Sequence, residues 1–132
     1  MKNYDKKIVV TASVLAAVTI AIGAFGAHGL KNLVDGNALL SFETGVRYQM
    51  YHVLALLVLG FATAIPKRLR KTVFLFFVLG MICFSGSIYL LALKTILPFD
   101  PTVIAFVTPL GGLFFIIGWL RLAYGMFSLK MT

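Results

Sequence analysis

"YQMYHVLALLVLGFATAI", residues 48–65, is the stretch on which the fold turns. Its strictly apolar part, Val53 to Ile65, is too short to cross a hydrocarbon layer roughly 30 Å thick at about 1.5 Å of helical rise per residue. The membrane segment must therefore extend back through "YQMYH", residues 48–52, which draws Gln49 and His52 into the edge of the bilayer.

The rest of the chain favours such a crossing. Hydrophobic residues make up 61% of the sequence and charged residues 12%, with a mean hydropathy of +1.00, more apolar surface than a soluble domain of this length can bury. Ile8 to Ala27, Thr72 to Leu93 and Thr102 to Leu120 are free of charge, and each is long enough to span. With the segment at 48–65 this gives an all-α fold, a four-helix transmembrane bundle in one integral membrane domain covering residues 1–132, with spans at about 8–28, 48–65, 72–93 and 102–127. The N-terminal run also resembles a signal peptide, since basic residues, an apolar stretch and the small residues "GAFGA" follow one another, although its length is nearer that of a span.

The net charge of +8 comes from basic residues clustered beside the apolar runs, a pattern of membrane topology and lipid contact that does not call for nucleic acid. Lys2, Lys6, Lys7, Lys67, Arg68, Arg70, Lys71, Arg121 and Lys130 fall at one end of the four spans, and Lys31, Arg47 and Lys94 at the other. The positive-inside rule then puts both termini in the cytoplasm of a multi-pass plasma-membrane protein. Trp119, Arg121 and Tyr124 read as an interfacial belt. Cys83 is the single cysteine, so no intramolecular disulfide forms.

Between the first two spans, Ala38 to Arg47 carries Leu39, Phe42 and Val46 at helical spacing, with Glu43 four residues before Arg47. This predicts a short amphipathic helix before the second span, lying at the outer surface and running into that span, with a Glu43–Arg47 ion pair. Pro66 ends span two, and Asp100 with Pro101 opens span four as N-cap and first helical residue.

Polar residues concentrate at one level: His28 ending span one, Tyr48, Gln49 and His52 entering span two, Ser85, Ser87 and Tyr89 on span three, and Thr108 beside Pro109 on span four. On span two a 100° step sets Gly45, Tyr48, Gln49 and His52 on one face and Glu43, Arg47 and Tyr51 on another. A polar cluster of His28, Gln49 and His52 near the outer boundary, with Ser87 or Tyr89 added from span three, is expected. It is either an interfacial network or a shallow outward pocket, since polar groups facing lipid are costly. Two histidines on separate spans without a spacing motif do not make a haem or metal site, and no cofactor is expected.

Small residues read as helix-packing seams, because close approach is what joins helices in lipid. Gly111, Gly118 and Gly125 recur every seven residues on span four, and Gly80 and Ser87 do so on span three. Ser13, Ala17 and Ala21 recur every four on span one, and Gly23, Gly26, Gly86 and Gly112 are further packing candidates. Phe115 is expected to face lipid.

"GAFGAHGL" (23–30), "FETGVRYQMYHVLALLVLG" (42–60), "FSGSIYL" (84–90) and "TPLGGLFFIIGW" (108–119) together resemble domain of unknown function family 423, small four-span membrane proteins that include transmembrane protein 256. The resemblance covers nearly the whole chain. It implies an α-helical membrane protein and supplies neither an activity nor a catalytic residue.

Three classes of function are compatible with these residues. A non-enzymatic membrane protein, acting through helix or lipid contacts on the bilayer, on itself or on another membrane protein, needs only seams, a surface helix and basic loops, and is favoured. A transporter or channel subunit with an outward polar pocket would need a path through an inner half that lacks polar lining. A lipid-modifying enzyme could draw on His28, His52 and Glu43, yet no Ser or Cys is visibly paired with a base.

Overall fold

A computed structural model describes residues 3–130, all of whose regular structure is helical; Lys2, one of the topology residues, lies outside them. Four helices alternate in direction: α1 (Lys6–His28), α2 (Gly36–Phe61), α3 (Lys67–Ala92) and α4 (Val107–Phe127). Asp5 caps α1 by accepting from the Ile8 N–H, and Asp35 caps α2 by accepting from the Ala38 N–H at 2.8 Å. Both are short polar residues placed just before an apolar run.

Among the described residues, three segments are long and apolar enough to cross a membrane: Lys6–Asn32, Lys67–Ala92 and Pro101–Phe127. α2 falls short of that hydropathy because its first half carries Glu43, Arg47, Gln49 and His52. The surface helix is not a separate element. Residues 38–47 form the opening turns of one continuous α2, since nothing between Arg47 and Tyr48 interrupts the backbone ladder. α2 also stops at Phe61 rather than Ile65, where a turn through Ala62 to Ile65 precedes Pro66. Asp100 and Pro101 open a 3₁₀ turn, Pro101–Ile104, and α4 begins only at Val107. Pro109 consequently falls in the first turn of α4, where its missing N–H removes no internal hydrogen bond. The Thr102 hydroxyl, and after it the Thr102 backbone N–H, hold the Asp100 carboxyl below its ordinary value.

The helices pack in chain order, α1 along α2, α2 against α3 and α3 along α4. The main core joins Ile8 and Ala12 of α1, Val53, Leu56 and Leu59 of α2, Val73 and Phe77 of α3, and Phe115 of α4. A smaller core of Leu30, Phe42 and Ala92 closes the other end. Outside these, Val10, Val14, Ile20, Val58, Ile82, Ile116 and Leu120 all stand exposed, an apolar coat that suits lipid and not water.

Glycines set the closest approaches. A side chain at Gly111 would overlap the backbone of Phe84, at Gly118 the Phe77 ring, at Gly80 the Phe115 ring and at Gly125 the Leu69 side chain. The span-four seam is therefore the α3–α4 interface. Gly26 lies against Phe42 and Gly23 against Val46 across α1 and α2. Gly86 has open space beside it and Gly112 only ordinary contact, so neither is needed for packing. The Ser13, Ala17 and Ala21 stripe is exposed. α1 instead buries the neighbouring stripe of Ala12, Thr19 and Gly26, because Thr19 has a partner on α2. Phe115 is 4% exposed and packs inside, contrary to the lipid-facing position expected of it.

Candidate functional site

Two sets of buried polar side chains lie about halfway along the helices. The first begins at Thr19, which is fully buried about 20 Å by helical rise from Lys6. Its hydroxyl donates to the Leu15 carbonyl at 2.6 Å and accepts from Gln49 Nε2 at 2.7 Å. Gln49 Oε1 in turn accepts from the Tyr89 hydroxyl at 2.7 Å. The donors all point one way, Tyr89 to Gln49 to Thr19 to Leu15, so each bond polarises the next. Three helices are joined by one amide.

The second set centres on His52, 5% exposed. Its Nε2 lies 3.0 Å from Trp119 Nε1, which can only donate, so Nε2 accepts. The proton then sits on Nδ1, which donates to the Tyr48 carbonyl at 2.7 Å. One neutral tautomer satisfies both contacts. The ring stacks on Phe115 at 3.6 Å between centroids and meets Phe77 edge-on at 5.0 Å. Trp119 is thereby a partner of His52, which lies about 24 Å by rise from the start of α2.

Around these, Ser85 Oγ donates to the Gly45 carbonyl at 2.7 Å, and Ser87 shares a hydrogen bond with Thr108. Ser85 belongs to a turn of wide π-helix, Met81–Gly86, inside α3. Such turns often mark functional positions. Here the turn meets α4 where Gly111 contacts Phe84.

The structure thus brings Gln49, Tyr89, His52, Ser85, Ser87 and Thr108 into interhelical contacts and leaves the other candidates out. His28 is exposed and joins neither set. It follows Gly26, which faces Phe42, by two residues, about 200° around the helix, and so turns away. Glu43 and Arg47 are exposed and form no ion pair, Arg47 donating instead to the Thr44 hydroxyl at 3.1 Å. Tyr48 contributes its carbonyl, while its 41% exposed ring packs on Phe84. Gln49 and His52 are both buried, enclosed by their partners among the described residues. The recesses at that end are lined by Lys94, Pro98, Asp100 and Thr102, and by Asp35, Ser41 and Lys94.

Sequence reasoning missed Thr19, Trp119 in its actual role, and Arg70. Thr19 had a signal: it shares one helical face with Gly23 and Gly26, at spacings of four and seven.

The description "Protein of unknown function (DUF423)" matches residues 22–112. The chain is 38% identical to a UPF0382 membrane protein of Haemophilus influenzae over 84% of its own length and 86% of that protein. It is 37% identical to UPF0382 membrane protein SSP2132 of Staphylococcus saprophyticus, covering 94% and 99% of the two chains. To UPF0382 inner membrane protein YgdD of Escherichia coli K12 it is 36% identical, over 93% and 91%. No solved structure matches. Matched along most of its length to relatives that are all membrane proteins, the chain belongs to the DUF423 family.

Proposed function

We propose that this chain is a four-span plasma-membrane protein with both termini in the cytoplasm. On this reading it acts without catalysis, through contacts of its helices with lipid or with another membrane protein. The register of α2 against α1 supports the fourth span. Gly60 lies against Val9 near one end, Gln49 bonds Thr19 midway, and Gly26 meets Phe42 near the other. A bilayer that holds α1 from Ile8 to Ala27 then also holds α2 from about Phe42 to Gly60. The opening turns of α2 carry the exposed Glu43 and Arg47 to headgroup level, where both can reach water. Lys6, Lys7, Lys67, Arg68, Arg70, Lys71 and Arg121 gather at the end where Asp5 meets Gly60 and Arg70, which supports a cytoplasmic face there.

The observation that carries the functional reading is the mutual pairing of the buried polar groups. Gln49, Thr19, Tyr89, His52, Trp119, Ser85, Ser87 and Thr108 each have a partner within the bundle. A helix bundle that must be unique inside lipid uses polar groups in this way, because apolar contacts alone discriminate poorly among helix pairings there. Native mass spectrometry from mild detergent is expected to retain lipid or a membrane protein on the chain, with proteoliposomes no leakier to ions than empty ones. Ion flux above that background, or turnover of a phospholipid by the purified protein, would overturn the reading.

A further inference from the structure

The geometry points to a binding site for the phosphate of an anionic phospholipid, formed where the N-terminal turns of α1 and α3 meet. A recess of about 320 Å³ at this end is lined by Lys6, Lys7, Lys67, Arg70 and Lys71 around Asp5, at the lower end of the range for ligand pockets. Five cations face one carboxylate, and that carboxylate is already engaged in capping α1 through the Ile8 N–H.

Arg70 shows that the charge there is incompletely answered. It is 8% exposed, and its Nη1 donates to the Ile65 carbonyl at 2.8 Å, tying the α2–α3 turn to α3. Its Nη2 lies 3.8 Å from Asp5 Oδ2, an ion pair too long for a hydrogen bond, and its buried Nε has no partner among the described residues. A buried guanidinium whose one counter-ion among the described residues stands off in this way gains from a second anion placed beside it. The first turn of α3 also lacks a side-chain cap, so its free N–H groups add to the positive field.

A lipid suits this site better than a free ion because of what lies directly beyond it. Lys7 is followed on the same helical face by the exposed Val10 and Val14, and Lys71 by the exposed Leu75. A phosphate held by the lysines would leave its acyl chains lying along these apolar stripes. The inference rests on the reading that α1 and α3 cross a bilayer, and does not depend on which side the termini face.

The test uses the full chain purified in mild detergent and examined by native mass spectrometry against phosphatidylglycerol and phosphatidylcholine. Wild type is expected to retain phosphatidylglycerol selectively. Lys67→Gln with Lys71→Gln is expected to weaken that binding roughly thirtyfold, taking each surface basic residue at its usual contribution to anionic-lipid affinity. Lys31→Gln with Lys94→Gln, the same charge change at the opposite end, is expected to leave it intact. Equal retention by both double variants, equal loss from both, or no preference of wild type for phosphatidylglycerol would overturn the site. Displacement of the lipid by inorganic phosphate at equal concentration would overturn its assignment to lipid. Ion flux by wild type would sink the reading that the chain acts through helix and lipid contacts alone and leave these binding results untouched.

Discussion

The contact of α2 with α1 and α3 and the contact of α3 with α4 differ in emphasis, for glycines at 26, 45 and 60 also approach closely in the first and one hydrogen bond, between Ser87 and Thr108, also joins the second. The first is tied by directional bonds, Gln49 reaching Thr19 on one side and Tyr89 on the other. The second is tied by shape, with Gly80, Gly111, Gly118 and Gly125 letting two backbones close on Phe115, Phe84, Phe77 and Leu69. A shape-based seam fails sharply when a side chain is added, because backbone has nowhere to move. A bonded contact fails gradually, because each bond inside a membrane carries little alone. His52 sits where the two meet, bonded to Trp119 across from α2 and stacked on Phe115.

The largest expected effect is therefore Gly111→Leu, which drives a side chain into the Phe84 backbone and should cost about 3 kcal/mol or more. Gly112→Ala, one residue away, is expected to change thermal stability in detergent by less than about 0.5 kcal/mol. Equal effects of the two would dissolve the contrast. Next comes His52→Phe, which keeps a ring against Phe115 but leaves the Trp119 N–H facing an apolar edge. About 1 to 3 kcal/mol should be lost, and Trp119→Phe in the same chain should recover part of it. Smaller again is the bonded contact: in a double-mutant cycle of Gln49→Leu and Tyr89→Phe, the coupling is expected near 0.6 kcal/mol. A coupling of zero would mean that the Tyr89–Gln49 bond contributes nothing.

The glycine seam was legible in the sequence and the bonded contact largely was not. Glycines at 111, 118 and 125 repeat at the period of two helical turns, and in an apolar run only close approach gives that repeat a purpose. The polar residues were harder because sequence gives depth along a helix more readily than direction around it. Span one offered two adjacent stripes of small residues, and the buried one was fixed by Thr19 meeting Gln49, a pairing that depends on another helix. Trp119 beside Arg121 and Tyr124 has the composition of an interfacial belt, and only the register of α4 against α2 turns its N–H toward His52. Gln49 and His52 stand out as polar residues at the edge of an apolar run, and His28 was grouped with them although its face points outward.

The smallest effect lies outside the helices, at Asp100. Thr102 depresses the Asp100 carboxyl from its ordinary 3.8, so the contribution of this turn is fully present above that value and is lost as pH falls through the lowered one. Nuclear magnetic resonance of Thr102 should show no change from neutral pH down to about 4 and a transition below it, and Asp100→Asn should remove the transition.

The central claim is that α2 crosses the membrane in register with α1, and paired labelling of its two ends tests it most directly. With Cys83 replaced by alanine, single cysteines at Asp35 and at Lys71 are exposed to a membrane-impermeant thiol reagent in intact cells. Asp35→Cys is expected to label from outside and Lys71→Cys only after the membrane is opened. Labelling of both from the same side would contradict the fourth span and the depth assigned to Gln49 and His52 with it.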